Sequence, residues 1–335
     1  MIANTDHRTK RRSLILVALF ILLGISMLGS ISYGAVSISW QDILRIPFGE
    51  TKEEWEQIIF NIRIPRMLTG ILVGMNLALA GAIMQGVLRN PLADPGILGV
   101  TAGAGLGALG VMILFPEYVG LVPLIAFAGA LGALFAVYLL AWKNGSIEPI
   151  RLILAGVALA AFFGGIMTTM MVFHSEKVQG TVQWMAGGFQ GRSWGHVRMV
   201  LPYTFFGVIA AFWTSRTLNI LALGDEVATG LGLNVRRSRL VLMTVAGFLT
   251  AAAVSVAGLL GFVGLMVPHI VRMVIGSDFE WLMPAAVLIG AILVVNADTF
   301  ARIVFAPSEV PVGVFMSFIG APFFLYLLRR GGAKG

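Results

Sequence analysis

"LVLMTVAGFLTAAAVSVAGLLGFVGLMVPHIVRMVI", residues 240–275, runs for 36 residues with one full charge, Arg272, near its end. A single helix of that length would extend about 54 Å, while bilayer hydrocarbon is about 30 Å thick. One crossing is therefore a poor fit. Gly258, Gly261 and Gly264 offer places for the chain to turn. The stretch predicts two short spans, 241–257 and 259–275. That choice sets whether the span count is even, and hence whether both chain ends share one side.

The rest of the chain has the same character. Of 335 residues, 58% are hydrophobic and 12% charged, against about 25% charged in a soluble domain. Mean hydropathy is +0.91. Further apolar runs fall at 14–36, 67–88, 96–114, 119–141, 151–173, 199–216, 281–299 and 312–328. They are continuous rather than alternating, which favours helices over a barrel. The predicted fold is all-α: a polytopic membrane protein of about ten transmembrane helices, in one domain covering 1–335. The first run follows "HRTKRRS" without a clear cleavage site, so it reads as a retained first helix.

Ten spans with an internal N-terminus put 15 of the 23 Lys and Arg inside and 8 outside. The bias has the sign of the positive-inside rule, and both basic termini become cytoplasmic. The net charge of +7 is accounted for by these flanking residues and calls for no nucleic acid. Two outside segments are long. Residues 37–62 read as a short amphipathic helix plus loop, and 174–198 as a polar loop with interfacial tryptophans.

Several chemistries are excluded. There is no cysteine, so no disulfide or thiolate site. None of the five lysines precedes Ser or Thr, so the chain has no P-loop of its own. His174, His196 and His269 are isolated, and no metal site is predicted. Every Asp and Glu falls in a loop or near a span end, with Asp298 the deepest. An ion-coupled transporter would normally keep ionisable groups inside the bilayer.

Two polar interruptions remain. "RNPLADPG" (89–96) reads as a stiff turn, with Asp94–Pro95 opening a helix. "LGDEVATGLGLNVRRSR" (223–239) reads as a short helix led by Asp225 and Glu226, which suit the helix dipole. Val227, Ala228 and Leu231 are placed on one face, and Gly232 at the C-terminal cap. Arg236, Arg237 and Arg239 read as the anchor of the next span. Two turns of helix are unstable alone in water, so this one needs a surface to lie on. The spacings Gly99–Gly103–Gly107 and Gly70–Gly74 predict close helix contacts within the chain.

Seven motifs together give a resemblance to a known family. "RIPRMLTGILVGMNLALAGAIMQGVLRNPLADPGILGVTAGAGLGA" (63–108), "RLILAGVAL" (151–159), "WMAGGF" (184–189) and "LGDEVATGLGL" (223–233) carry it. So do "GFVGLMVPHIVR" (261–272), "ADTFAR" (297–302) and "VPVGVFMSFIGAPFFLYLLR" (310–329). In order and over nearly the whole chain, they resemble the FecCD-type permease subunits of bacterial ABC importers for iron-siderophores, haem and cobalamin.

The resemblance implies a multi-pass protein of the bacterial plasma (inner) membrane, paired with a second permease, identical or paralogous. It implies two separate ATPase subunits that bind ATP and Mg, with no cofactor in this chain. It also implies an extracytoplasmic binding protein that delivers a ferric siderophore, with haem or cobalamin as alternatives. The stretch 223–234 then matches the coupling helix, its contact shaped by Leu223, Gly224, Asp225, Glu226, Ala228, Gly230, Leu231 and Gly232. Arg63, Arg66 and Arg302 match outward arginines that meet glutamates of the binding protein, as a planar fork suits a carboxylate. Pro149, Ile150 and Arg151 fall where the family narrows the path on the cytoplasmic side. Two positions depart from the pattern: Glu280 stands where a base is usual, and Met316 where a small hydroxyl residue is common. The reading from a different class is an ion-coupled secondary transporter with glycine-broken helices.

Overall fold

The computed structural model describes residues 2–34, 38–45, 53–143, 146–147, 149–304, 306 and 308–331. Part of the predicted outer loop (46–52) and the predicted inner Lys334 lie outside these residues.

In chain order the helices are α1 (Ile2–Ser32), α2 (Trp40–Arg45), α3 (Glu53–Ile58), α4 (Ile64–Leu88) and α5 (Val100–Leu114). There follow α6 (Val122–Ala141), α7 (Pro149–Phe173), α8 (Val178–Met185), α9 (Trp194–Trp213) and α10 (Ser215–Ala222). The chain closes with α11 (Asp225–Gly230), α12 (Val235–Ala257), α13 (Val263–Val274), α14 (Phe279–Ile303) and α15 (Val312–Gly331). Among the described residues the only sheet is a two-residue antiparallel ladder, Trp142 to Ile147 and Lys143 to Ser146. Among the described residues, seven helical segments are long and apolar enough to cross a membrane, and three shorter ones are also apolar. These ten fall on the ten predicted runs.

The hub is α4. A π-helical turn, Ile59–Arg63, joins it to α3, and it is buried along nearly its whole length. It packs against α14, α12, α13 and α9. Where α4 meets α14, a Cβ on Gly74 would overlap the Gly290 carbonyl, and one on Gly290 would overlap that of Gly74. Only glycine permits this backbone approach. Gly103 and Gly107 likewise face α6, whereas Gly99 left-handedly caps α5 (φ 71°) rather than sharing their helix face. By contrast α1 and α7 show large apolar side chains outward, among them Phe20 (70% exposed) and Phe162 (63%), as lipid-facing helices do.

The decisive stretch does break, though not into two equal spans. Residue Gly258 ends α12 in a backbone conformation open to glycine (φ 70°, ψ −158°). Phe262 then adopts a left-handed φ of 67° before α13, which is uncommon for a bulky residue. At 12 residues, α13 is about 18 Å long, short of a crossing. The predicted turn at Gly264 is instead inside the helix. The break is tied to two others: Gly188 N–H donates to Ala257 O (2.7 Å) and Gly313 N–H to Gly187 O (3.0 Å). The ends of α8, α12 and α15 thus meet through backbone bonds.

Candidate functional site

Two ends of the bundle hold the polar residues. At one end lie the start of α4, the end of α14 and the end of α1; at the other lie the end of α4, α10, α11 and the starts of α12 and α14.

At the α11 end, the short helix is held from both sides. Gly224 (φ 107°) turns the chain into it. Asp225 Oδ1 accepts from Arg89 Nη2 and Arg239 Nη2, each at 2.9 Å. The C-terminus closes as a full Schellman motif. Leu233 N–H donates to Ala228 O (3.0 Å) and Gly232 N–H to Thr229 O (2.9 Å), with Gly232 at φ 82°. Ala228 is fully buried, while Leu223 (61% exposed), Val227 (50%) and Leu231 (63%) stand outward. Two expectations are corrected here. Ala228 does not share the outer face of Val227 and Leu231; the exposed apolar residues are Val227 on α11, Leu231 at its C-cap and Leu223 just before the Gly224 turn. And Arg239 does more than anchor α12, because it pins Asp225. Glu280, the family departure, pairs with exposed Arg216 (2.7 Å).

Next to this end, Asp94 caps the 3-10 turn Pro95–Leu98, accepting from Gly96 N–H at 2.7 Å. Burial raises its carboxyl above the usual carboxylate range, against the opposing pull of that one N–H. The sequence placed Asp94 in a stiff turn and gave no hint that α13 would close over it. Ile150, at the start of α7, is 72% exposed, and Arg151 is half-buried; both belong to this end.

At the opposite end, Arg66 grips Asp298 by two bonds, Nε to Oδ2 and Nη2 to Oδ1, each 2.9 Å. Its Nη1 donates to Glu309 (2.8 Å). Arg302 reaches the same carboxylate (3.3 Å) and donates to Ser30 O (3.1 Å). Arg63 donates to Ser32 O (3.1 Å) and to Ile31 O. The three arginines are only 6%, 9% and 6% exposed (Arg63, Arg66, Arg302). The resemblance has them meeting a binding protein; within this chain they are turned onto internal partners. Arg66 and Arg302 compensate Asp298, 4% exposed, a charge that must be paired where it is buried, and Arg63 is held by carbonyls at the end of α1. The i,i+4 spacing of Asp298 and Arg302 was a signal for half of this cluster; Arg66 and Glu309 carried none.

Beside the cluster lies a cleft of about 250 Å³ bounded by Arg66, Trp184, Phe189, Arg192, Glu309 and Pro311. Arg192 projects a buried Nε with no hydrogen-bond partner, and burial holds its guanidinium below the usual value. Among the described residues, no three His, Asp or Glu come together as a metal site. Met316 is fully buried in the bundle.

A glycine-packed bundle of broken apolar helices, with a short rigid helix presented outside it, defines a multi-pass membrane permease. The chain belongs to the FecCD transport family, whose model matches residues 20–330. It is similar to the Fe(3+)-citrate import system permease protein YfmD of Bacillus subtilis, 40% identical over 97% of this chain and 98% of the relative. It is similar also to the hemin transport system permease protein HmuU of Yersinia pestis, at 40% over 95% and 96%. A solved structure described as a metal-chelate type ABC transporter, inward-facing, superposes with a TM-score of 0.85 at 30% identity. The match covers 95% of this chain and 99% of that one. The protein is thus a permease of the ABC importer class in the cell membrane.

Proposed function

We propose that this chain passes a ferric siderophore across the membrane, driven by ATPase subunits that press on α11. The observation that carries the reading is the apolar patch at α11. Val227 is exposed on a helix fixed by Asp225 and the Gly232 cap, and Leu223 and Leu231, just before and just after it, are exposed as well. A rigid, protruding apolar ridge suits insertion into a groove on another protein. Gly224, Glu226 and Gly230 complete the contact, and the coupling element runs from about 223 to 234.

The rest of the assembly follows on this reading. The α11 end and both termini are cytoplasmic, and the whole of 1–335 forms one permease domain. A second permease copy or paralogue pairs with it, and Pro149–Arg151 narrow the path between the two. ATP and Mg reside in two partner ATPases, and this chain holds no cofactor. A binding protein delivers substrate at the Arg66 end. Because Arg63, Arg66 and Arg302 are engaged within the chain, they set the shape of that docking face, and direct pairing with the binding protein would require them to exchange partners. Asp298, the carboxylate that an ion-coupled mechanism would use, is already held by Arg66 and Arg302.

The test is uptake in cells lacking this chain and resupplied with it. Iron-55 carried by ferric siderophores should enter at the restored level, while labelled haem and cobalamin should not. Restoration of haem or cobalamin uptake alone would overturn the substrate; restoration of none would overturn the importer reading.

A further inference from the structure

The start of α12 carries a second feature that the transport reading does not use. Arg236, Arg237 and Arg239 line a cavity of about 250 Å³ together with Trp142, Leu240 and Met243. Three arginines thus line a space to which no carboxylate contributes among the described residues. Asp225 engages one Nη of Arg239, but the Nε of Arg239 is buried without a partner. Arg236 lies over the Trp142 ring at 4.9 Å.

The surroundings say which anion fits. Tyr138 OH meets Thr244 Oγ1 at 3.4 Å, so the end of α6 lies along the start of α12. Leu240 and Met243 give the cavity an apolar side. Trp142 stands where α6 leaves its apolar run, the position of an interfacial tryptophan. A pocket lined by cations on one side and apolar side chains on the other matches a phosphate ester joined to acyl chains. Basic pockets between transmembrane helices take lipid headgroups by this chemistry, and guanidinium forks bind phosphate oxygens in pairs.

We propose that Arg236, Arg237, Arg239 and Trp142 form a binding site for the phosphate headgroup of an anionic phospholipid, whose chains leave past Leu240 and Met243. Because Arg239 also pins Asp225, the lipid sits one side chain away from α11. The site itself stands whether or not α11 meets an ATPase.

The experiment uses the full chain with whatever subunits copurify, in phosphatidylcholine vesicles. Either brominated phosphatidylglycerol or brominated phosphatidylcholine is added at equal fraction. Fluorescence quenching assigned to Trp142, by difference from Trp142→Phe, is measured. The phosphatidylglycerol should be favoured by about fivefold for each arginine engaged. Arg237→Gln, which leaves the Arg236–Trp142 stack in place, should lose part of that preference. Arg236→Gln with Arg237→Gln should cut it to about fivefold, the share left to Arg239. Equal quenching by both lipids in the unsubstituted protein would overturn the proposal, as would full preference in Arg237→Gln. A final arm adds inorganic phosphate to vesicles of phosphatidylcholine alone. A Trp142 response there, without excess quenching by phosphatidylglycerol, would assign the pocket to a soluble anion and also overturn it.

Discussion

Arg66 and Asp298, 232 residues apart in sequence, form two parallel hydrogen bonds inside the bundle. The pair ties the start of α4 to the end of α14. Breaking a buried pair from one side strands a charge and costs about 3–5 kcal/mol. Arg66→Met or Asp298→Leu alone should therefore sharply lower the yield of folded protein and its thermal midpoint in detergent. The double variant should do better than the sum of the two losses, since neither member of the pair is then left alone, but recovery is partial because buried Arg302 loses Asp298 and Glu309 loses Arg66. Damage in the double variant equal to the sum of the two single losses would show that the pair is not coupled.

The Gly74–Gly290 crossing should tolerate no side chain. Leucine at either position must push the two helix backbones apart, and overpacking of this kind costs about 1–3 kcal/mol or more. Gly110, with open space where its Cβ would lie, is the control. Gly110→Ala should leave the thermal midpoint unchanged or slightly raised, while Gly290→Leu should abolish monodisperse elution. A well-behaved Gly290→Leu protein would place the contact elsewhere.

Asp94 should make stability fall with pH. Burial raises its folded pKa above the unfolded value of about 3.9. Between the two values the folded state keeps a proton that the unfolded state has lost, so stability declines as pH climbs through the raised value. Below about 3.9 both states are protonated and the effect vanishes. Asn keeps an oxygen for the Gly96 N–H and never ionises. Asp94→Asn should therefore melt higher than the unsubstituted protein at neutral pH and converge with it in acid. A midpoint lower at neutral pH would show a carboxylate stabilised by something other than that bond.

Gly232 should resist replacement more than Gly230. Its φ of 82° strains any L side chain, and Gly232→Ala should cost about 1 kcal/mol or more. Gly230 is helical with open space around it, so Gly230→Ala should be neutral or stabilising. Hydrogen exchange over 225–233 would register the difference as faster exchange in Gly232→Ala alone.

Much of the architecture was legible because bilayer crossing imposes length and polarity on each run. The ten apolar helices, the break near Gly258 and the Gly232 cap follow from local sequence. What lay hidden depended on partners distant in the chain. The inward turn of Arg63, Arg66 and Arg302 is set by Asp298, Glu309 and the carbonyls ending α1. The burial of Ala228 in place of Val227 is set by what α11 leans on, which no periodicity within six residues can reveal. The covering of Asp94 by α13 likewise requires knowing that α13 is a half-length helix. Arg239 read as a membrane anchor because its partner, Asp225, sits 14 residues earlier on a separate helix.

The claim at the centre is that work enters this chain through the exposed apolar patch at α11. Leu223→Ser, Val227→Ser and Leu231→Ser together remove the apolar ridge and leave Asp225, Ala228 and the Gly232 cap intact. The account predicts that the triple variant folds and reaches the membrane at normal level, no longer retains an ATPase on purification, and loses ferric-siderophore uptake. Normal uptake by a triple variant present at normal level would contradict it.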